Sequence, residues 1–231
     1  MITVERIDKF LSNLKYGSRE DIKKAIKNKL VRVNNLIIKD PSLKIDPNKD
    51  QVMFKESIVF YKENVSLMMN KPKGYVCATT DNEHKTVLEL LKEPYNRLDF
   101  KIIGRLDKDT EGLLFLTTNT ELVRKYTHPK HDFMKKYYCK LQNKIENLEV
   151  LNNGIEIKDK DGEVFVTKEA ITEQISDYEA YISISEGKFH QVKRMFEYIN
   201  NKVIYLKRVE VNNIKLDENL KLGEYKEIDL D

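Results

Sequence analysis

The sequence predicts an α+β chain made of a small basic unit followed by a larger body with a mixed, mainly antiparallel sheet. Three observations carry this. Helical spacing followed by a hairpin signal is confined to the first sixty residues. The strand-like runs after it mostly follow one another directly, unlike the strict alternation of a parallel doubly wound sheet. Charge is also divided unevenly: residues 1–60 hold 13 Lys and Arg against 8 Asp and Glu, whereas the remainder holds 28 against 30. The domains are therefore placed at 1–60 and 61–231.

In the first unit, Ile7, Phe10, Leu11 and Leu14 recur at helical spacing until Gly17 interrupts. Ser18 is a good helix cap, with Glu20 and Asp21 in the first turn behind it. The second helix then carries an apolar stripe of Ile22, Ala25, Ile26 and Leu30 beside a basic one of Arg19, Lys23 and Lys27, spaced four apart. Next, VRV and LII flank Asn34-Asn35, a two-residue turn between β-branched runs. A small basic piece on a near-neutral body suits a module that grips a polyanion, and equally a solvated lysine-rich surface.

In the body, strands are expected at Ser66–Met69, Tyr75–Thr79, Leu113–Thr117, Tyr137–Leu141, Val164–Ile175, Tyr181–Ser185 and Ile204–Val211. Helices are expected at Val87–Leu91 behind Thr86, Glu121–Tyr126 behind Asn119, Ile145–Leu151 and His190–Tyr198. Gly154 and Gly162 bracket polar residues and read as turn formers.

Composition narrows the function classes. With 40% hydrophobic and 34% charged residues, the chain is too apolar for a disordered protein. No window approaches the run of ~20 apolar residues that a membrane span needs. The start, MITVERIDKF, lacks the apolar core of a secretory signal, so a cytoplasmic location is expected and no membrane partner. Cys77 and Cys139 stand far apart, which excludes a disulfide framework and a zinc site of several thiolates. His84, His128 and His131 lie in polar loops without clustered carboxylates or thiolates, so no metal is expected. His190 reads as a helix-start residue. Neither a dinucleotide-binding nor a Walker glycine pattern occurs, so no nucleotide cofactor is expected.

The densest polar cluster is GRLDKDTEGLL, residues 104–114, between the apolar pair Ile102-Ile103 and a strand. From the residues alone it is either a rigidly held working loop or a charged surface turn in which Arg105 pairs with Asp107.

Two stretches then resemble known families. The order RIDKFLSNLKYGSREDIKKAIKNKLVRVNN, within about the first 50 residues, resembles the S4 RNA-binding domain. By that resemblance Arg6, Arg19, Lys23, Lys27 and Arg32 contact RNA phosphates. The pattern usually has Gly before the first strand, where this chain has Lys29-Leu30. GRLDKDTEGLL in turn resembles the signature of pseudouridine synthases of the small-subunit and large-subunit ribosomal RNA type. KPKGYVCATTD (71–81), KKYYCKL (135–141) and EGKFHQVKRMF (186–196) follow that family's other motifs around it. The family commonly has Gly in the turn near the C-terminus where this chain has Asn212-Asn213, residues that tolerate positive φ.

The resemblance implies an isomerase that needs no cofactor and no metal. It breaks the glycosidic bond of a uridine in RNA and rejoins the base through carbon. Asp107 would be the catalytic carboxylate, attacking the sugar or taking a proton from it. Arg105 would fill the place left by the flipped base, and Tyr137 would stack on that base. Lys193 would pair with Asp107 and keep it ionised, while Arg194 would hold phosphate. The implied partner is 16S ribosomal RNA, at uridine 516, or a small-subunit assembly intermediate, with the chain acting as a monomer. Two alternatives are a 23S enzyme of the sister branch and a non-catalytic RNA-binding assembly protein. The HQVKR stretch argues against the first, and intact Asp107, Tyr137 and Lys193 against the second.

Overall fold

The computed structural model describes residues 4–159 and 161–230. The chain divides into two compact units. One runs through Asn64 and takes in Lys92–Asp99; the other comprises Val65–Leu91 and everything from Phe100 onward. A boundary at residue 60 does not account for Lys92–Asp99. That segment joins the first unit through Lys15, whose ammonium donates to the Asn96 carbonyl at 3.0 Å, and Arg97, whose guanidinium lies 4.3 Å from the Tyr16 ring centre.

The first unit contains β1 (Glu5–Arg6), α1 (Ile7–Asn13), α2 (Arg19–Lys27), β2 (Val31–Val33), β3 (Leu36–Ile37), β4 (Lys44–Ile45), β5 (Val52–Phe54) and β6 (Ser57–Ile58). β1 pairs with β4, and the other strands form a sheet of order β3-β2-β5-β6. Ser18 and Asp21 make a reciprocal capping box at the start of α2. Ile22, Ala25 and Ile26 face inward as the stripe requires, but Leu30 lies beyond the end of α2 and is 39% exposed. The helix ends earlier because Lys29 turns left-handed, at φ 60°, in the place where the S4 pattern has Gly. Asn34 and Asn35 both have positive φ and close the hairpin as expected.

The second unit contains β7 (Ser66–Lys71), β8 (Lys101–Ile103), β9 (Glu111–Thr117), α3 (Thr120–Thr127), β10 (Lys135–Leu141), β11 (Glu156–Lys158), β12 (Val164–Val166), β13 (Ala170–Gln174), β14 (Glu179–Ile184), α4 (Gln191–Tyr198), β15 (Val203–Val211), β16 (Ile214–Lys215) and β17 (Tyr225–Glu227). Its main sheet has the order β13-β14-β10-β15-β9-β7-β17, with β8 on β9 and β16 on β15. Every pairing in it is antiparallel except β9 with β15, so the sheet is mixed and mainly antiparallel as expected. Two apolar clusters flank it: α4 packs with β10 and β14, and α3 packs Leu122 toward Ile103 and Phe115. Among the described residues no helix is long and apolar enough to cross a membrane.

Four expectations fail. Tyr75–Thr79 is not a strand: after Gly74, at φ 89°, only Val76 makes a bridge, to Thr86. Val164–Ile175 is two strands, because Thr167 turns aside to exchange hydrogen bonds with Ile155 before the chain rejoins β14. Ile145–Leu151 is not an α-helix. The Ile145 amide donates to Asp177, and the Asn147 side chain accepts from Glu149, so only a 3₁₀ turn at Glu149–Asn153 forms. Val87–Leu91 is likewise a 3₁₀ turn, Val87–Leu90, capped by Thr86 and Glu89.

The single parallel junction rests on one residue. Gly112 lies opposite Arg208, with φ 105°, and a β-carbon built there would sit 2.2 Å from the Arg208 carbonyl oxygen. Only glycine lets β9 approach β15 so closely. Gly112→Ala is expected to cost roughly 3 kcal/mol and to lower the melting temperature by about 6–12 °C. Calorimetry of the variant beside the parent checks this.

Candidate active site

The loop Gly104–Thr110 joins β8 to β9. Gly104 takes a left-handed φ of 68° to enter it. Leu106 turns into the core, its amide donating to the Cys77 sulfur at 3.3 Å, which leaves Arg105 and Asp107 on either side toward solvent. Among the described residues no strand partners the carbonyls of this turn; the Gly74 and Thr110 amides reach those of Lys108 and Asp107, and two buried cations add further donors. Lys71, wholly buried at the end of β7, donates to the carbonyls of Asp107 (3.0 Å), Thr110 (2.9 Å) and Pro72 (3.1 Å), and less closely to Lys108. Arg208, 3% exposed on β15, donates to the carbonyls of Leu113 (2.8 Å) and Arg105 (3.3 Å). Burial pushes the Lys71 ammonium below its ordinary value, and Cys77 with the carboxylates of Asp107, Asp109 and Glu111 works in the opposite direction.

Asp107 faces a cleft of about 770 Å³. Its Oδ2 lies 3.1 Å from the Lys193 ammonium on α4 and 3.6 Å from His190 Nε2 at the start of that helix. Lys193 also reaches Asp109 at 2.7 Å. Burial opposes the Lys193 charge, but its hydrogen bond to Asp109 and the nearby Asp107 outweigh that and raise its pKa. Burial likewise works against the charge on Asp109, and Lys193 overcomes it and holds the carboxyl below its ordinary range.

Tyr137 and Tyr138 separate as their adjacent positions on β10 require. Tyr137 is 7% exposed and forms part of the cleft wall, whereas Tyr138 donates its hydroxyl to Glu179 at 2.6 Å. Arg105 stands exposed on the cleft, and its guanidinium makes no hydrogen bond or ion pair among the described residues. The surface pairing of Arg105 with Asp107 is thus not found. The structure brings Arg105, Asp107, Tyr137 and Lys193 around one cleft. Arg194 is not among its walls: it bonds to the Lys158 carbonyl and lies 5.2 Å from the Phe189 ring centre.

Arg6, Arg19, Lys23, Lys27 and Arg32 lie in the first unit, all exposed. Two of them already have a partner. Arg6 (3.0 Å) and Arg19 (3.1 Å) grip Asp8, whose carboxylate is wholly buried. Burial opposes the charge on Asp8, but these hydrogen bonds prevail and hold its pKa below the ordinary value. Lys23, Lys27 and Arg32 are the exposed cations of that set outside this cluster.

Sequence reasoning did not single out Lys71, Arg208 or Cys77, and it set His190 aside as a helix-start residue. For Lys71 a signal existed: a lysine closing the apolar run SLMMNK must either leave the sheet or find carbonyls within it. His190 adopts φ 53° and caps nothing with its side chain. Its ring stacks on Phe189 at 3.8 Å, and this turn aims it at Asp107.

This fold and cleft are those of enzymes that isomerise uridine in RNA, and the chain belongs to the RNA pseudouridylate synthase family, whose model matches residues 65–198. An S4 domain matches residues 5–50. The chain is similar to an RNA pseudouridine synthase of Bacillus subtilis, 37% identical over 96% of this chain and 94% of that one. It is also similar to the ribosomal small subunit pseudouridine synthases A of Haemophilus influenzae and of Escherichia coli K12. These are 35% and 34% identical, each over 96% of this chain and 94% and 95% of theirs. A crystal structure of a pseudouridylate synthase superposes with a TM-score of 0.67 at 34% identity, covering 97% of this chain and 96% of that one.

Replacing Lys71 tests how far the loop depends on it. Lys71→Met leaves the Asp107 and Lys108 carbonyls their backbone donors but removes the ammonium from those of Thr110 and Pro72, each costing about 1–3 kcal/mol if it finds no other donor. The variant is expected to melt well below the parent and to lose at least tenfold in uridine isomerisation. Unchanged melting and turnover would show that the loop holds its shape without the cation.

Proposed function

We propose that this enzyme acts on 16S ribosomal RNA of the small subunit, at uridine 516 by its resemblance, with Asp107 as the catalytic carboxylate. The observation that carries the reading is the Asp107 carboxylate on the cleft wall, 3.1 Å from Lys193 and sharing that wall with Tyr137. The similarity to small-subunit enzymes over nearly the whole chain supports the choice of RNA.

The chemistry follows from the substrate. The C1′–N1 bond breaks, the base turns, and a C1′–C5 bond forms; C5 loses its proton and N1 gains one, so no atom is added or removed. A carboxylate beside the sugar supplies either first act, attack on carbon or removal of a proton. Lys193 sets a cation beside that carboxylate, next to an anionic substrate, and fixes its direction. The uridine must leave its stack before it reaches the cleft, and Arg105, with its guanidinium unengaged, occupies the vacated place. Tyr137 offers an apolar ring against the base in the cleft. Lys23, Lys27 and Arg32 of the first unit hold RNA phosphates, and Arg6 and Arg19 add the outward edges of their guanidiniums. No step calls for a metal or a cofactor.

Mapping pseudouridines in cells with and without the gene tests the target. Loss of one pseudouridine from 16S RNA is expected; loss from 23S RNA instead would move the enzyme to the sister branch. Asp107→Asn is expected to abolish isomerisation while RNA affinity stays within a few fold, since one amide alters little of the phosphate grip. Turnover by the purified variant would remove Asp107 from the catalytic role.

The first unit is tested at positions that leave Asp8 paired. Lys23→Gln with Lys27→Gln is expected to weaken RNA binding and to flatten the slope of log affinity against log salt by about 1.4–1.8. An unchanged slope would make this face a solvated surface only.

A further inference from the structure

Beside the cleft lies a second, smaller cavity of about 420 Å³, within the size range of ligand sites. The two share Gly104, Arg105, Thr127, Tyr137, Gly187 and Lys188 as a common wall. The second cavity reaches between β10, β15 and the segment after α3, none of which the chemistry above uses beyond Tyr137.

Its charge is lopsided. Five cations line it, against the carboxylates of Asp132 and Glu186. Asp132 is already taken by Lys168 at 2.5 Å, and Glu186 accepts from the Gln191 amide at 2.6 Å and from the Lys168 backbone at 2.8 Å. The two most sheltered cations, Lys135 and Arg208, have no carboxylate within ion-pair distance among the described residues. Lys135 donates to the carbonyls of Phe133 and Ser185, both at 2.8 Å, which leaves one of its three protons over. Arg208 uses Nε and one side of Nη1 on carbonyls, which leaves the other guanidinium protons over. Burial, with Arg208 alongside, pushes Lys135 down to about 8, against the opposing pull of Asp132 and Glu186. Neighbouring sheltered cations are costly unless an anion answers them. Tyr126, Phe133 and His128 add aromatic rings to the lining.

We propose that this side cavity is a subsite for the nucleotide next to the target uridine, with its phosphate between Lys135 and Arg208 and its base toward Phe133. The cavity would thereby fix which neighbour of the flipped base the enzyme accepts. The inference rests on the reading of the larger cleft as the uridine site.

The test uses binding alone. The dinucleotide UpU, its methylphosphonate analogue with a neutral linkage, and inorganic phosphate are titrated into the full chain while the amide resonances of Ser185 and Gly187 are followed by NMR. UpU is expected to move both resonances and to bind at least about tenfold more tightly than the neutral analogue, as a lost charge-assisted hydrogen bond requires. Inorganic phosphate is expected to move the same resonances only at higher concentration. Lys135→Gln should bring UpU and its analogue within twofold of each other, and Lys135→Arg should restore the difference. Equal affinity of the parent for UpU and the neutral analogue would overturn the subsite, without relying on any protein variant. Inorganic phosphate binding as tightly as UpU would make this a free-anion site and overturn the RNA assignment. Because no turnover is read, failure of the 16S assignment or of Asp107 shows in the mapping and activity assays and not here.

Discussion

The turn between β8 and β9 must present two charged side chains while its backbone runs past a sheet that offers it no partner strand. A carbonyl so placed and shielded from water costs free energy comparable to a lost hydrogen bond. Lys71 and Arg208 resolve this by reaching in from neighbouring strands and donating to the carbonyls of Arg105, Asp107 and Thr110. A long cation suits the task, since one ammonium serves several acceptors at once and a guanidinium spreads its donors in a plane. The direction of the Asp107 carboxylate is thus inherited from its own carbonyl, which Lys71 holds in place.

Charge is then set in layers outward from this clamp. Nearest the sheet are cations that bond only to backbone. Next comes the group of Asp107, Asp109, Lys193 and His190, in which one lysine answers two carboxylates. Outermost stands Arg105, whose guanidinium is unengaged. Lys193 thus offsets the negative charge that Asp107 and Asp109 place side by side on the cleft. The first unit solves a similar problem differently: Asp8 is buried and held by Arg6 and Arg19, so two arginines of a basic face also brace the fold. Their exposed position therefore overstates how freely they are offered to a ligand.

Much of this was legible in the sequence where local chemistry decides the outcome. Ser18 with Asp21, Asn119 before α3 and the Asn34-Asn35 turn each act within a few residues, and each formed as its residues indicate. Adjacent strand positions required one of Tyr137 and Tyr138 to face inward, and the structure turns Tyr137 in with Cys139. What could not be read depended largely on backbone conformation and on partners elsewhere in the chain. Tyr75–Thr79 has β-rich residues, yet it lines the cleft because Gly74 turns it away from the sheet. The 3₁₀ turn at Glu149–Asn153 replaced a helix because Asn147 and Asp177 offered the backbone other partners. Lys71 and Arg208 resemble ordinary strand-end charges until the strands that bury them are assembled. Arg194, next to Lys193 in sequence, is turned about 100° away by helical geometry and meets a carbonyl in place of the cleft.

The signature GRLDKDTEGLL can now be parsed by what each letter must do. Gly104 enters the turn through a backbone conformation that a side chain would strain. Leu106 anchors the turn in the core beneath Cys77, and in doing so forces Arg105 and Asp107 to emerge on either side of it. Thr110 returns its carbonyl to Lys71. Gly112 admits the close parallel passage of β15, which brings Arg208 back under the Arg105 carbonyl. Leu113 and Leu114 then bury both faces of β9. Most of the motif is therefore devoted to geometry, with Arg105 and Asp107 left to emerge on either side of the anchored Leu106. A chain that kept Arg105 and Asp107 but lost either glycine would retain the two charged side chains without the turn and the strand crossing that aim them.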